Sequence, residues 1–295
     1  MDWVKQLANI KRIVVLTGLV LLSGLAIGQN TKKGFLSDIG VCTRFSNAGI
    51  LSDNGYTYVE EGVRNFLIPS KSEEEFNKIL AQAKESPLPV KACNSFLPGS
   101  LKSVGAEASH PEILKFAETA FRRAQIAGVK VIVFGSGRSR DIPDGFPREE
   151  AREQFITLCS EMAPIAAKYD VVIVLEPLNS KECNFINTVT EGGEIVNEVN
   201  HPNFRLMADI YHMAMEGEGP GSILEYGHLI KHIHIAEKEG RAAPGTHGDD
   251  FRPYFEALKK VGYQGRISVE CRWDDFNSQV GTAIEAIKKQ IQLIK

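Results

Sequence analysis

The sequence predicts a single (β/α)8 TIM barrel of the α/β class, and three observations carry this prediction. After residue 34, short apolar runs alternate with longer amphipathic stretches. The chain has 295 residues, a length that such barrels reach as one domain. Regular alternation of strand and helix favours a parallel sheet. Eight runs have the composition of strands, at residues 36–43, 56–60, 89–94, 130–135, 171–176, 205–209, 231–236 and 266–270.

The stretches between these runs carry apolar residues at the spacing of helices. This spacing predicts helices at residues 73–84, 111–127, 148–169, 251–261 and 278–293. Ser72 is the predicted N-cap of the first of them. The connections after the first and sixth runs are less clearly helical. A doubly wound sheet is the alternative, but the segment 43–49 after the first run lacks the GxGxxG pattern of a phosphate-binding loop.

The N-terminus has the features of a secretory signal peptide. Basic residues precede an apolar run at 13–22, and Ala26 and Gly28 are spaced as in a signal-peptidase site. The run is shorter than the roughly 20 apolar residues that a spanning helix needs, so we expect no stable membrane insertion. The predicted organisation is a signal peptide at 1–28 and the barrel at 29–295, in a periplasmic or secreted protein.

The composition narrows the class of partner. Hydrophobic residues make up 43% and charged residues 24% of the chain, which is ordinary for a protein with a large core. The net charge of −3 argues against nucleic acid as a partner. The five cysteines form no CxxC pair, and the runs around Cys42, Cys93 and Cys271 favour buried thiols.

Four successive strand-like runs finish on residue types that bind metal ions. Because every strand of such a barrel ends at the same mouth, we expect these side chains to converge there. Three carboxylates and one imidazole suit a single divalent ion, Mn²⁺, Co²⁺, Mg²⁺ or Zn²⁺. The four residues are Glu176, Asp209, His234 and Glu270.

Some of these residues also have ordinary structural interpretations. Asp209 could cap the following segment, and His234 could be a core histidine. In one interpretation only one of His232 and His234 faces the pocket. In another, the intervening isoleucines pack outward and both histidines point inward at different depths. His234 is preferred as the ligand because it lies nearer the end of its run, and Glu60, at the end of the second run, could line the pocket or face water.

Five segments of the second half contain the candidate ligands and their neighbours: EPLNSKE at 176–182, NT at 187–188, DIYHM at 209–213, HIHIAE at 232–237 and SVE at 268–270. Together they resemble the xylose isomerase-like barrel superfamily, most closely its sugar isomerase/epimerase branch, which includes the ketose 3-epimerases. In that family a Glu, Asp, His and Glu set binds one divalent metal ion. The resemblance assigns this role to Glu176, Asp209, His234 and Glu270, and implies that Glu176 and Glu270 also exchange protons with the substrate.

The resemblance implies further contacts with the substrate. His212 matches a family histidine that touches substrate oxygens, Glu182 a carboxylate near the first catalytic glutamate, and Arg241 a substrate-binding arginine. A structural hydrogen bond for His212 and a solvated loop charge for Glu182 are the alternatives. Members of the family often form dimers or tetramers, so the resemblance also implies a homo-oligomer.

Two carboxylates beside a metal ion suit chemistry at a carbon next to a carbonyl group. Such a C–H is a weak acid, and a metal ion on the carbonyl oxygen stabilises the enediolate that deprotonation creates. A base on one face and an acid on the other complete an epimerisation. The sequence thus predicts a metal-dependent sugar isomerase or epimerase.

The alternatives differ in how closely they share this chemistry. A 3-keto-glycoside lyase or hydratase would begin with the same proton abstraction and then expel the glycosidic oxygen. The charge balance and the seven histidines disfavour a hydrolase that resembles apurinic endonucleases. A non-catalytic sugar-binding protein would require the loss of a ligand, and all four are present.

Overall fold

Eight parallel strands close into a barrel in which each strand pairs with its neighbours in the chain and β1 pairs with β8. The computed structural model describes residues 34–294, so the predicted signal peptide lies outside the described residues. The predicted barrel is confirmed, and the doubly wound alternative is wrong. The strands are β1 (Ile39–Cys42), β2 (Tyr58–Gly62), β3 (Val90–Asn94), β4 (Val131–Phe134), β5 (Val172–Leu175), β6 (Phe204–Asp209), β7 (Ile230–Ile235) and β8 (Arg266–Val269).

Helices connect the strands. The five predicted helices are present, whereas the 11-residue helix Val189–Val199 was not among those predicted. The connections after β1 and β6 contain only short helices, which explains their weak periodicity. The helices are α1 (Ala48–Asp53), α2 (Val63–Phe66), α3 (Glu73–Lys84), α4 (His110–Ala127), α5 (Gly137–Arg140), α6 (Arg148–Lys168), α7 (Val189–Val199), α8 (Ile210–Glu216), α9 (Gly221–Tyr226), α10 (Arg252–Lys260) and α11 (Phe276–Leu293).

Helix α3 shows how local sequence fixes a boundary. The Ser72 side chain accepts a hydrogen bond from the backbone N–H of Glu75 at 3.2 Å. The Glu75 carboxylate in turn accepts one from the backbone N–H of Ser72 at 3.0 Å. This reciprocal capping box satisfies two N–H groups that the first turn leaves without helical partners. The predicted N-cap is therefore confirmed.

The barrel separates two apolar layers. Outward-facing strand residues such as Ile233, Ile235 and Ile267 belong to the large core against the helices. A smaller cluster fills the inside of the barrel, as its packed interior requires. Among the cysteines with predicted burial, Cys93 is buried whereas Cys42 and Cys271 are half-buried. Among residues 34–294, no helix is long and apolar enough to span a membrane.

Candidate functional site

The four predicted ligands meet at the C-terminal mouth of the barrel. Each offers one ligand atom, and these four atoms all lie within 4.8 Å of one another. Asp209 ends β6 and His234 lies one residue before the end of β7, whereas Glu176 and Glu270 directly follow β5 and β8. Four separate strands thus deliver the four side chains to one point, as the parallel topology requires.

The alternation of side chains along each strand explains why all four point inward. Counting back two residues from each ligand gives a buried position on the same face of its strand. These positions are Val174, Met207, His232 and Ser268. His232 and His234 therefore both point into the barrel, at different depths, while Ile233 and Ile235 pack outward. The interpretation in which only one histidine points inward is wrong.

A closed hydrogen-bond network lies beneath the four residues, with the fully buried Glu60 at its centre. Its Oε1 atom is 2.9 Å from His234 Nε2, and its Oε2 atom is 2.7 Å from His232 Nε2. The Ser268 hydroxyl donates to Glu60 Oε2 at 2.6 Å and lies 2.7 Å from the Tyr58 hydroxyl. Glu60 therefore faces neither water nor the open pocket.

His234 lies between carboxylates on both sides of its ring. Its Nδ1 atom is 3.1 Å from Glu270 Oε2 and 3.3 Å from Glu176 Oε1. Burial opposes a charge on the ring, but the Glu60 and Glu270 carboxylates outweigh it and hold the His234 pKa well above 6.5. Burial also opposes ionisation of Glu60, yet His234 and His232 lower the Glu60 pKa well below its ordinary value.

The two glutamates that the resemblance makes catalytic have different electrostatic surroundings. Burial raises the pKa of Glu176, and the charges of Glu270 and Asp209 raise it further against the opposing effect of His234. Burial also acts to raise the pKa of Glu270, but His234 and Arg241 outweigh it and lower this pKa to about 2. Paired carboxyl groups with separated pKa values are typical of sites that need both an acid and a base.

Two neighbours of these glutamates were not predicted. The Asn94 side-chain amide, at the end of β3, donates to Glu270 Oε1 at 2.9 Å. Gly135, directly after β4, leaves space for Glu176, because a Cβ atom added there would lie 2.1 Å from Glu176 Oε2. Both lie at the C-terminal ends of their strands. Their place in the sequence is the feature that led to the four predicted ligands, and it could have indicated these two residues as well.

Arg241 reaches into the same cluster. Its Nη2 atom lies 2.5 Å from Glu270 Oε2 and 3.3 Å from Asp209 Oδ2. The guanidinium group lies 4.7 Å from the centre of the Tyr211 ring, within cation–π range. The backbone of Arg241 adopts a left-handed φ of 54° that L-residues rarely adopt, which is typical of functional loops.

His212 is held in one tautomer by Asn179. The Asn179 backbone N–H and side-chain amide both approach His212 Nδ1, at 3.2 and 2.7 Å, so this nitrogen acts as an acceptor. The proton then resides on Nε2, which is buried and has no hydrogen-bond partner in the described structure. The Asn179 amide also donates to Glu182 at 3.1 Å. The structural hydrogen bond considered for His212 is thus present, and Nε2 lies 3.5 Å from Asp209 Oδ2.

The donor set fits a divalent cation. Glu176 Oε1 is buried without a hydrogen-bond partner among the described residues, an arrangement that a ligand would relieve. Three carboxylates and His234 Nδ1 are oxygen and nitrogen donors of the kind that Mn²⁺, Co²⁺, Mg²⁺ and Zn²⁺ accept. Two other close clusters share His234, one with Glu60 and His232 and one with Cys42 and Glu270. In the first, the side chains already satisfy one another by hydrogen bonds.

A cavity of about 690 Å³ opens above the cluster. Glu176, Glu182, His212, Arg241 and Glu270 line one wall of it. The segments 97–105 and 135–147 supply part of the opposite wall, and Arg241 comes from the segment after β7. All seven predicted site residues therefore lie in or beside this cavity, and their individual roles stay predictions.

Comparison with known proteins gives relatives that share parts of this chain. An L-ribulose 3-epimerase from Methylomonas sp. (strain DH-1) is 33% identical over 161 residues, which cover 48% of this chain and 56% of that protein. A putative hydroxypyruvate isomerase from Homo sapiens is 31% identical over 162 residues, covering 52% and 57% of the two chains. The chain therefore matches little more than half the length of these relatives.

The fold is also shared with a solved structure, and a family model covers most of the chain. The apo crystal structure of a 3-keto-D-glucoside 4-epimerase from E. coli aligns with a TM-score of 0.72 at 21% identity, over 85% of this chain and 99% of that one. The family model described as xylose isomerase-like TIM barrel matches residues 49–295. The chain belongs to the xylose isomerase-like TIM barrel family.

Proposed function

We propose that this chain is a divalent-metal-dependent sugar isomerase or epimerase that moves a proton at a carbon next to a carbonyl group. One observation carries the proposal: Glu176 and Glu270 flank His234 Nδ1 at 3.3 and 3.1 Å in the mouth of the barrel. The relatives named above as epimerase and isomerase support the same reaction class.

One divalent ion, Mn²⁺, Co²⁺, Mg²⁺ or Zn²⁺, would be held by Glu176, Asp209, His234 and Glu270. When bound, the ion would supply positive charge to the substrate carbonyl and a neighbouring oxygen. The Oε1 atom of Glu176 supports this assignment, because it is buried and its contact with His234 Nδ1, at 3.3 Å, does not form a hydrogen bond. A structural neighbour at 21% identity, the IolI protein, is described with a bound zinc atom, which supports a metal in this type of site.

The chain's own residues would divide the proton transfers. One of Glu176 and Glu270 removes the proton from one face of the carbon, and the other returns a proton to the opposite face. Asn94 and Arg241 hold the Glu270 carboxylate in position. His212 donates its Nε2 proton to a substrate oxygen.

A second candidate is a 3-keto-glycoside lyase or hydratase. The same proton abstraction would be followed by loss of the glycosidic oxygen from the neighbouring carbon. The cavity of about 690 Å³ supports this candidate, because it lies within the range of about 300–1,000 Å³ that is usual for pockets that hold drug-sized ligands, and a glycoside is of that size. The structural neighbour described above is named a 3-keto-D-glucoside 4-epimerase, so the substrate in that protein's name is a glycoside.

An isotope-exchange screen tests both candidates. The Mn²⁺-loaded protein is incubated in D₂O with ketohexoses and with 3-keto-glucosides, and the products are followed by NMR and mass spectrometry. Isomerisation or epimerisation introduces deuterium while the carbon skeleton stays intact, whereas elimination releases the aglycone. If neither deuterium incorporation nor aglycone release occurs with any of these compounds, the proposed reaction class is wrong.

We also propose that residues 1–28 direct export and are removed, which leaves the barrel at 29–295 in the periplasm or outside the cell. The basic and apolar pattern of this segment supports the proposal. The test is the intact mass of the protein recovered from the periplasm of an expressing bacterium, with a start near Gln29 as the expected result. Recovery of only full-length protein from the cytoplasm would refute it. A homo-oligomer, which light scattering would detect, is proposed on the family resemblance alone.

A further inference from the structure

We propose that the cavity wall opposite the metal-site residues binds an anionic group of the substrate, either a carboxylate or a phosphate. The substrate would then be an acidic carbohydrate, with its reacting carbonyl at one end of the cavity and its negative charge at the other. This inference rests on the proposed function for the identity of the reaction, but the binding of the anion can be tested without it.

Three cationic side chains line this wall. Arg64 lies in α2, directly after β2. Lys102 lies in the loop after β3, and Arg138 lies in α5, after β4. The four predicted metal ligands come from β5 to β8. The ring of strands therefore puts an acidic cluster on one half of the mouth and a cationic wall on the other half.

Within the part of the chain that the structure describes, the charge of this wall is not neutralised by ion pairs. Arg64 and Arg138 are exposed and form no ion pair with another of residues 34–294. Lys102 donates from its Nζ atom to the backbone carbonyl of Arg138 at 2.8 Å, which leaves its charge intact. Asp141 is the acidic residue on this side of the cavity, and its Oδ1 atom accepts from the Asn184 backbone N–H at 3.1 Å. A surplus of positive charge therefore faces the cavity.

The wall is held in place by packing and by strained backbone. A Cβ atom added to Gly99 would lie 2.9 Å from the Cβ and 3.5 Å from the Cδ of Arg138, so the absence of a side chain at residue 99 lets the arginine lie against this loop. The Ser136 hydroxyl accepts from the Leu97 backbone N–H at 3.0 Å and joins the loops after β3 and β4. Ser95 and Ser136 have left-handed φ values of 51° and 43°, and such strain in non-glycine residues concentrates at ligand sites.

The chemistry of the two walls favours one orientation of the substrate. An anion near Glu176 or Glu270 would be repelled in the metal-free cluster, whereas guanidinium groups form charge-assisted and often bidentate hydrogen bonds with carboxylate and phosphate. A neutral sugar would leave Arg64 and Arg138 without a partner. The cationic wall therefore selects for a negative charge placed away from the reacting carbon.

The first experiment compares three ketoses that differ at one position. D-Fructose, D-fructuronate with a carboxylate at carbon six, and D-fructose 6-phosphate are incubated with the Mn²⁺-loaded protein in D₂O, and deuterium incorporation is measured by NMR. We expect kcat/KM for at least one anionic ketose to exceed that for D-fructose by about tenfold or more, as a charge-assisted contact implies. The ratio between the two anionic ketoses identifies the preferred group.

A pair of matched double variants tests whether the cationic wall causes the preference for anionic ketoses. The double variant Arg64→Gln/Arg138→Gln should reduce the anionic-to-neutral ratio of kcat/KM to near one. The control Lys115→Gln/Lys289→Gln removes the same charge from exposed positions on α4 and α11 and should keep the wild-type ratio. If D-fructose reacts as fast as both anionic ketoses, or if the control lowers the ratio as much as the arginine variant, the proposed anion site is overturned.

A binding measurement separates this inference from the proposed reaction. Calorimetry with EDTA-treated protein measures the affinity for D-glucuronate, inorganic phosphate and D-glucose. We expect D-glucuronate or phosphate to bind at least about tenfold more tightly than D-glucose, and the double arginine variant to lose this difference. Such binding without any deuterium exchange would uphold the anion site and refute the proposed reaction. Equal affinity for all three compounds would refute the anion site.

Discussion

The Oε1 atom of Glu60 lies 2.9 Å from Nε2 of His234, on the edge of the ring that faces away from Glu176 and Glu270. A carboxylate at this nitrogen retains a proton there, so the lone pair of the neutral ring is on Nδ1. Metal-binding histidines usually have such a partner, which fixes the tautomer and the ring orientation. Glu60 therefore leaves Nδ1 as the nitrogen with which His234 would bind the proposed metal ion.

Replacement of Glu60 tests this role directly. We expect Glu60→Gln to weaken Mn²⁺ binding by about 10- to 100-fold, as measured by calorimetry, because the tautomer is no longer fixed by a carboxylate. The control is Glu61→Gln, since the adjacent Glu61 accepts from the Phe45 backbone N–H at 2.7 Å and does not contact His234. Equal Mn²⁺ affinity in Glu60→Gln and wild-type protein would contradict the assignment.

Gly135 provides a steric test of the same site. A Cβ atom at this position would lie 2.1 Å from Glu176 Oε2, so Gly135→Ala must displace the carboxylate. We expect this variant to lose Mn²⁺ affinity by about tenfold or more while it remains folded. The control is Gly49→Ala in α1, where an added Cβ meets nothing within 4 Å. Wild-type affinity in Gly135→Ala would show that Glu176 is not a ligand.

The two-carboxylate mechanism predicts that neither glutamate is dispensable. Glu176→Gln and Glu270→Gln should each reduce deuterium exchange into the substrate by about 10² to 10⁴-fold, because each removes one proton-transfer group. Circular dichroism should show an unchanged fold. Glu285→Gln on the exposed face of α11 is the control and should exchange at the wild-type rate. Full activity in either site variant would refute the mechanism.

Removal of the metal ion should lower the melting temperature. A ligand that binds only the folded state at 100 times its Kd stabilises that state by about 2.7 kcal/mol. Calorimetric scans with Mn²⁺ and after EDTA treatment should differ accordingly, and His234→Gln should show little difference between the two conditions. Identical melting curves for wild-type protein, with metal removal verified by elemental analysis, would contradict a metal centre.

The pKa of His234 predicts that metal binding releases a proton. Burial opposes the charge, but Glu60 and Glu270 keep this pKa well above 6.5, so the metal-free ring is protonated at neutral pH. A metal ion must displace the Nδ1 proton, and affinity should therefore increase as pH rises. Calorimetry in buffers of different ionisation enthalpy measures this release. A binding enthalpy that is the same in every buffer would refute it.

The raised pKa of His234 and the lowered pKa of Glu60 define the pH range in which each residue stabilises the metal-free protein. Because the folded-state pKa of His234 is raised, its contribution to stability is complete below about 6.5 and is lost as pH rises through the raised value. The pKa of Glu60 is lowered against the effect of burial by His234 and His232, so its contribution is complete above about 4.5 and is lost as pH falls.

Much of the fold, and the convergence of four side chains of metal-binding type, could be predicted from local patterns in the sequence. Strand runs that end on Asp, His or Glu combine a periodicity with a topological rule about where parallel strands end. The inward direction of His232 required knowledge that Ile233 and Ile235 pack against helices, which follows once the barrel closes.

The supporting residues could not be predicted in the same way. Glu60 is distant in sequence from His234, and the β2–β3 pairing shifts register between Val59 and Glu60, so simple counting along the strand does not give its neighbours. Asn94 contacts Glu270 across the barrel, whereas Gly135 lies beside Glu176 on the neighbouring strand, and neither residue belongs to a motif. Their roles depend on distances between strands that only the closed barrel defines.

The division of the mouth into two halves has an evolutionary consequence. The groups proposed for chemistry come from residues after 170, whereas Arg64, Lys102 and Arg138 come from earlier connections. Under the proposed anion site, mutations at these three positions would change the preferred sugar, while the two glutamates proposed to transfer protons stay the same. A lineage of such barrels would then acquire new carbohydrate substrates through mutations in the three connections that follow β2, β3 and β4.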